Sequence, residues 1–139
     1  MLFRSARDPA GTGRLGAAGR SRTVVTDRPA YIPERGDFVR IVLDPRVGRE
    51  QSGERPALVL SPRAFNELTG YAFMAPVTNT LRNWPFEVPI PPGGRVGGAI
   101  LADQTKSIDY VARHVRYMSD SPHGLVAAVL AKVQAALFS

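Results

Sequence analysis

Apolar and polar residues alternate in short runs through the middle of this chain, and a period of two is the signature of half-buried strands. The pattern predicts strands over Asp37–Leu43, Ala57–Ser61, Tyr71–Val77, Phe86–Ile90, Gly98–Ala102, Ser107–Tyr110 and His114–Met118. Turn chemistry separates them: Asn66 to Gly70 reads as a short turn ending on glycine, and Pro91-Pro92-Gly93-Gly94 as a connection between strands. Near the C-terminus the period changes. Leu125, Val126, Val129, Leu130, Val133 and Leu137 recur at helical spacing, with Ser121 placed as N-cap and Pro122 at the first helical position. Short strands followed by one amphipathic helix describe a mainly β, α+β domain: a small barrel or sandwich whose open side the helix covers.

Residues 1–30 break this pattern. They are rich in Gly, Arg, Ser and Ala, show no period, and carry too few large apolar groups to offset their ordering entropy. A disordered basic extension is expected there, either a nucleic-acid tether or a segment without a specific role. The folded domain is expected over residues 31–139. Six arginines against two aspartates give the extension +4 of the chain's net +6. The remaining 12 basic and 10 acidic side chains leave the domain at +2, which permits an RNA partner without demanding one.

Composition narrows the chemistry. The chain has no cysteine, which removes disulfides, thiolate metal sites and cysteine nucleophiles together. His114 and His123 are its two histidines, and no ligand spacing for a metal surrounds either. No metal and no cofactor are expected. No apolar run approaches the length of a membrane span, and the first residues lack the apolar core of a secretory signal, so the expected compartment is the cytoplasm.

Three polar patches lie at predicted strand ends: Glu50-Gln51-Ser52-Gly53-Glu54-Arg55-Pro56, then Pro76-Val77-Thr78-Asn79, then Ala102-Asp103-Gln104-Thr105-Lys106-Ser107-Ile108-Asp109. A folded barrel can bring them to one rim, where an arginine, a threonine, a lysine and several amides would suit a phosphodiester and its base edges. The simpler readings stand beside this one. Arg55 before Pro56 can be a surface arginine at a strand start, Thr78 a strand threonine chosen for packing, and Asp103 and Asp109 turn caps or partners of Lys106 and Arg113. Trp84 can stack on a base or pack over the barrel.

The ordered set of motifs resembles the MazF/PemK family of toxin endoribonucleases. Gly36 to Pro56 matches its G-D…[DN]-P…G-x-E-Q-x-G-x-R-P opening. Pro76-Val77-Thr78, Pro85-Phe86-Glu87-Val88 and the Ala102–Asp109 run follow in the family's order. The similarity spans Gly36 to about Phe138. It implies an SH3-like small β-barrel of the MazF/CcdB toxin type with a C-terminal helix. It also implies a homodimer, an acidic-tailed MazE-like antitoxin as partner, and metal-independent cleavage of single-stranded RNA. Arg55 and Thr78 correspond to the residues tied to cleavage, and Glu50 to a more variable third. Gln51, Asn79, Asp103, Gln104, Lys106 and Ser107 are the candidate RNA contacts.

In such a reaction the 2′-hydroxyl attacks the adjacent phosphorus, so the site must take one proton, give another and stabilise a phosphorane. Arg55 suits the last task, because a guanidinium is planar and stays charged. Glu50 is either the base or a group that orients Arg55. The alternative function is a binding toxin of the same fold that poisons DNA gyrase.

Overall fold

Strand alternation gives this sheet two buried faces. The computed structural model describes residues 31–42 and 54–138; the expected extension, Leu43, Glu50 and Gln51 lie outside the described residues. The elements are β1 (Asp37–Val42), β2 (Glu54–Val59), α1 (Arg63–Thr69), β3 (Tyr71–Thr78), β4 (Glu87–Pro89) and β5 (Ala99–Leu101). A 3-10 turn (Ala102–Gln104), β6 (Lys106–Asp109), β7 (Arg116–Asp120) and α2 (Leu125–Phe138) follow.

The strands pair antiparallel in the order β4-β5-β3-β2-β1-β7, with β6 also on β3. One core gathers Phe38, Leu58, Ala75, Val77, Val88 and Ile100 beneath Leu125 and Val129 of α2. The other gathers Val39, Ala57, Val59, Ala72, Met74 and Ile108, with Tyr110 and Val115. Met118 of β7 packs against the first core, as does Val88 of β4, so strands from both ends of the sheet meet there. Arg95 spans part of the remaining distance by donating from Nη1 to the Met118 carbonyl at 2.9 Å. The expected barrel is therefore a curled sheet: among the described residues β4 and β7 remain its outer strands, joined through packing and not through a ladder.

On its free side β3 has two partners in succession. Tyr71 to Met74 pair with Asp109 to Lys106, and Val77 and Thr78 pair with Ile100 and Ala99. Between the two ladders the register jumps by three residues, the length of the 3-10 turn Ala102–Gln104. Pro76 falls in this gap, where its missing N–H costs neither ladder a bond. Pro56 is similarly placed. Residues 54–56 of β2 pair with β1 before the ladder to β3 begins at Ala57, so that stretch is locally an edge.

Four expectations need correction. The turn expected at Asn66–Gly70 is the second half of helix α1, with Gly70 as its left-handed C-cap (φ 79°). Propensity does not make this helix. It is short, and its Pro62 N-cap makes no side-chain bond. What holds it is Asn66, fully buried, whose amide donates to the carbonyls of Pro33 (2.7 Å) and Ser61 (3.0 Å). The Asn66 side-chain oxygen accepts the Ser61 hydroxyl at 2.5 Å, and its backbone carbonyl accepts the Tyr110 hydroxyl at 2.7 Å. Burial pushes the Tyr110 phenol pKa up, so it stays a donor.

The second correction concerns α2, which starts at Leu125 and not at Pro122. Ser121 instead donates its N–H to the Gly36 carbonyl (3.0 Å), while Leu125 N–H closes a turn on Pro122. Third, β2 begins at Glu54, so Arg55 belongs to a strand and not to the loop before it. Fourth, β7 begins at Arg116, because His114 adopts a left-handed turn conformation (φ 50°).

Asn66→Ala should cost about 2–4 kcal/mol, since it removes the donor to two buried carbonyls and the acceptor of the Ser61 hydroxyl proton. Urea denaturation measures this; a loss below about 0.5 kcal/mol would show that α1 is held by something else.

Candidate active site

Side-chain parity decides what meets what. On β2, Arg55 shares a face with Ala57 and Val59 of the second core; on β6, Lys106 shares that face with Ile108. Ile41 and Arg55 are register partners, as are Ala57 and Pro76, and Met74 and Lys106. The result is a groove of about 290 Å³ lined by Ile41, Arg55, Pro56, Ala57, Met74, Pro76, Gln104, Lys106, Ile108 and Arg113. Its floor is aliphatic, while its rim carries three cations and an amide.

Thr78 stands on the same face, two residues beyond Pro76. Continuing the β2–β3 register by two residues on each strand carries Arg55 and Thr78 to facing positions. The Thr78 hydroxyl accepts the Thr80 N–H at 3.1 Å, which fixes its oxygen and leaves its proton to donate. Backbone packing fixes the strand end. Gly98 lies so close beneath it that an added Cβ would sit 2.1 Å from the Thr78 carbonyl oxygen, and its φ of +101° itself favours glycine.

The other candidates separate from this group. Ser107 has the opposite parity to Lys106 and pairs with Phe73. Asp103 lines a different cavity, of about 630 Å³, with Leu60, Phe65, Phe73, Leu130, Val133 and Leu137 among its walls. Asn79 is exposed just past β3 and outside the groove lining. Asp109 caps a turn: its Oδ1 accepts the Ala112 N–H at 3.0 Å, one of the simpler readings offered by the sequence.

Arg113 is the site residue that spacing did not single out. It lies four positions after Asp109, in the turn before β7, and its carbonyl accepts the Val42 N–H at 3.1 Å. Chain distance hides it, because only the fold brings that turn beside β1.

Charge is distributed with the same selectivity. Glu54 engages Arg40 (3.4 Å) and Arg116 (2.9 Å), away from the groove. Among the described residues neither Lys106 nor Arg113 has a carboxylate partner. The groove therefore keeps a positive field over an apolar floor, an arrangement for holding an anionic backbone while a flat or apolar group settles beneath it. Among the described residues, no three His, Asp or Glu side chains are grouped to hold a metal.

A curled β-sheet closed by a C-terminal helix, with a cationic groove on its far face, defines a small β-protein built to engage a polyanion. The family profile of the PemK-like, MazF-like toxins of type II toxin–antitoxin systems matches residues 34–137. The chain belongs to that family. It is 45% identical over 83 residues to the endoribonuclease toxin MazF of Escherichia coli K12, covering 60% of this chain and 74% of that protein. It is 40% identical over 107 residues to the E. coli endoribonuclease toxin ChpB, covering 73% of this chain and 91% of that one. Among solved structures, MazF from Deinococcus radiodurans superposes with a TM-score of 0.70 at 38% identity, over 78% of this chain and 99% of its own. A MazE–MazF complex from the same organism gives 0.70 at 35% identity, over 78% and 97%.

Gly98→Ala should destabilise the protein by about 2–4 kcal/mol, through steric conflict and an unfavourable φ together. A variant that melts with the wild type would show that the β3 terminus can move aside.

Proposed function

We propose that this chain is the toxin of a type II pair and an endoribonuclease that cuts single-stranded RNA by 2′-hydroxyl attack without a metal. The observation that carries the reading is the convergence of Arg55, Gln104, Lys106 and Arg113 on one groove, with Thr78 on the same face. The E. coli relatives named above are endoribonucleases, which leaves the gyrase-binding alternative without support.

In this mechanism the 2′-oxygen bonds to phosphorus as its proton leaves to a base, and the P–O5′ bond breaks as the 5′-oxygen takes up a proton. The products are a 2′,3′-cyclic phosphate, which can open to a 3′-phosphate, and a 5′-hydroxyl. Arg55 binds the non-bridging oxygens and gains contact as their charge grows. Thr78 donates its hydroxyl proton to one of them and holds the phosphate in line. Lys106 and Arg113 bear the flanking backbone, and Gln104 offers donor and acceptor to a base edge. Glu50, outside the described residues, is the proposed base or the group orienting Arg55. Gln51, Asn79, Asp103 and Ser107 remain candidates for contacts beyond the groove.

The opposite face supports a homodimer. Phe65 and Phe73 stack there at 5.8 Å, Phe73 is 43% exposed and Leu137 69%, around the larger cavity. Apolar area of this kind, left open in one copy, is what a second copy would cover. An acidic segment of an antitoxin would be drawn to the cationic groove in competition with RNA. The compartment proposed for this chemistry is the cytoplasm, where its RNA is made; no helix among the described residues is long and apolar enough to cross a membrane.

Cleavage should survive EDTA, and a substrate with one deoxy sugar at the cut position should bind yet stay intact. Arg55→Ala should slow cutting by about 10²–10³, and Arg55→Lys should recover little, since a point charge lacks the planar fork. Loss of activity with EDTA, or near-normal cutting by Arg55→Ala, would overturn this assignment. An acidic antitoxin-tail peptide and uncleavable RNA should displace each other, less strongly as salt rises. Simultaneous independent binding of the two would place the peptide elsewhere.

A further inference from the structure

Trp84 is 53% exposed and Leu81 59%, so the packing role that a lone tryptophan usually takes is not the one it takes here. An indole is among the largest apolar groups a core can use, and this one is held outward by specific devices. Arg82 donates its N–H to both oxygens of Glu87, at 3.2 and 3.1 Å, and that carboxylate is 9% exposed. Glu87 N–H in turn donates to the Trp84 carbonyl at 3.0 Å. Asn83 adopts φ 56°, a left-handed conformation that asparagine tolerates better than most residues. Pro85 then restricts Trp84 to extended backbone. A buried carboxylate and a left-handed turn thus hold an aromatic ring in water.

The segment is tied to the active face at Thr78 and at Glu87, whose parity is opposite to that of Val88 in the first core. It leaves from Thr78, whose hydroxyl accepts the Thr80 N–H. It returns at Phe86, whose carbonyl accepts the Ala102 N–H at 3.0 Å, two residues before Gln104. Residues 79–86 carry Arg82 and no acid. Trp84 is also absent from the walls of the apolar cavity on the opposite face, so the surface offered to a second copy does not include it.

We infer that Trp84 is a stacking platform for an unpaired base of the RNA, flanking the nucleotide whose phosphate Arg55 and Thr78 engage. The inference rests on the endoribonuclease reading. A π-face accepts any base, and the adjacent Arg82 suits the phosphate that follows it. The carboxylates of an acidic peptide would match Arg82 but do not stack on an indole as a base does. Trp84 acts on the reaction by positioning, since a base anchored beside the cut fixes the backbone leading into it.

Trp84 is the chain's single tryptophan, so its emission reports on this position alone. The probe is the 2′-O-methyl copy of whichever oligoribonucleotide the wild-type protein cuts. Emission should be quenched on titration, and an abasic nucleotide at one position beside the cut should remove most of the quench. Trp84→Ala should raise KM and weaken probe binding by about 5- to 100-fold, with kcat within about threefold; Trp84→Phe should recover most of the loss. Probe binding measured by anisotropy with unchanged emission would overturn the inference while leaving the nuclease reading intact. So would an emission change that follows protein dilution or acidic-peptide binding and not the probe. Failure of the wild-type protein to cut any RNA would instead overturn the underlying reading, and this inference with it.

Discussion

The site depends on an interruption in a β-ladder. Strand β3 is paired along one side by two stretches of chain that would form a single continuous strand but for the turn Ala102–Gln104. An uninterrupted strand would present strictly alternating side chains to the two faces. The odd insertion inverts the alternation: entering the turn, Ile100 and Ala102 face the first core, whereas on leaving it Gln104 and Lys106 line the groove, Ile108 joins the second core, and Asp103 goes to the apolar cavity. The polar run then resumes as β6 with Lys106 on the groove face, paired with Met74. Because the gap coincides with Pro76, the proline that a central strand ordinarily rejects sits where no partner strand needs its N–H.

Electrostatics follows from the same partition. Two arginines that pair across β1 and β7, Arg40 and Arg116, would repel one another without the Glu54 carboxylate that both engage. Exposed pairs of this sort contribute little stability each. Their larger effect is to satisfy Glu54 away from the groove. With Asp103 turned to the other cavity and Asp109 occupied in a turn, the carboxylates nearest in sequence to the groove cations are directed elsewhere. Among the described residues Lys106 and Arg113 thereby keep their charge without a carboxylate beside them.

Much of this was legible in the sequence, and what was not has identifiable causes. The strands were visible because each buries side chains at a period of two, and five of the helix positions named from spacing, Leu125, Val126, Val129, Leu130 and Val133, do pack on the core. Leu137, the sixth, is exposed on the wall of the apolar cavity. Helix α1 was invisible because a buried asparagine and its distant carbonyl partners stabilise it, and tertiary hydrogen bonds leave no periodicity. Arg113 was missed for a related reason: the turn that carries it is brought to the groove by a backbone bond to Val42. Asp103 and Ser107 were grouped with Gln104 and Lys106 because neighbours in sequence look like neighbours in space. Alternation and the inserted turn send them to the opposite face.

That alternation also explains why the register must be specified so firmly. On β2 the groove residue Arg55 is flanked by Glu54, on β6 Lys106 is flanked by Ser107, and on β3 Phe73 faces the apolar cavity between Ala72 and Met74 of the other core. A slip of one residue would exchange the faces wholesale. It would put the Glu54 carboxylate into the groove in place of a guanidinium and move an aromatic ring between the two cores. In a sheet with one wet face, such a slip is opposed by one core. Here Leu58 and Val59, both fully buried on opposite sides of the same strand, oppose it from both. The positions of Arg55 and Thr78 are thus set by the packing of aliphatic neighbours, and a rigid two-faced sheet is what allows chemistry at strand ends to be held in register.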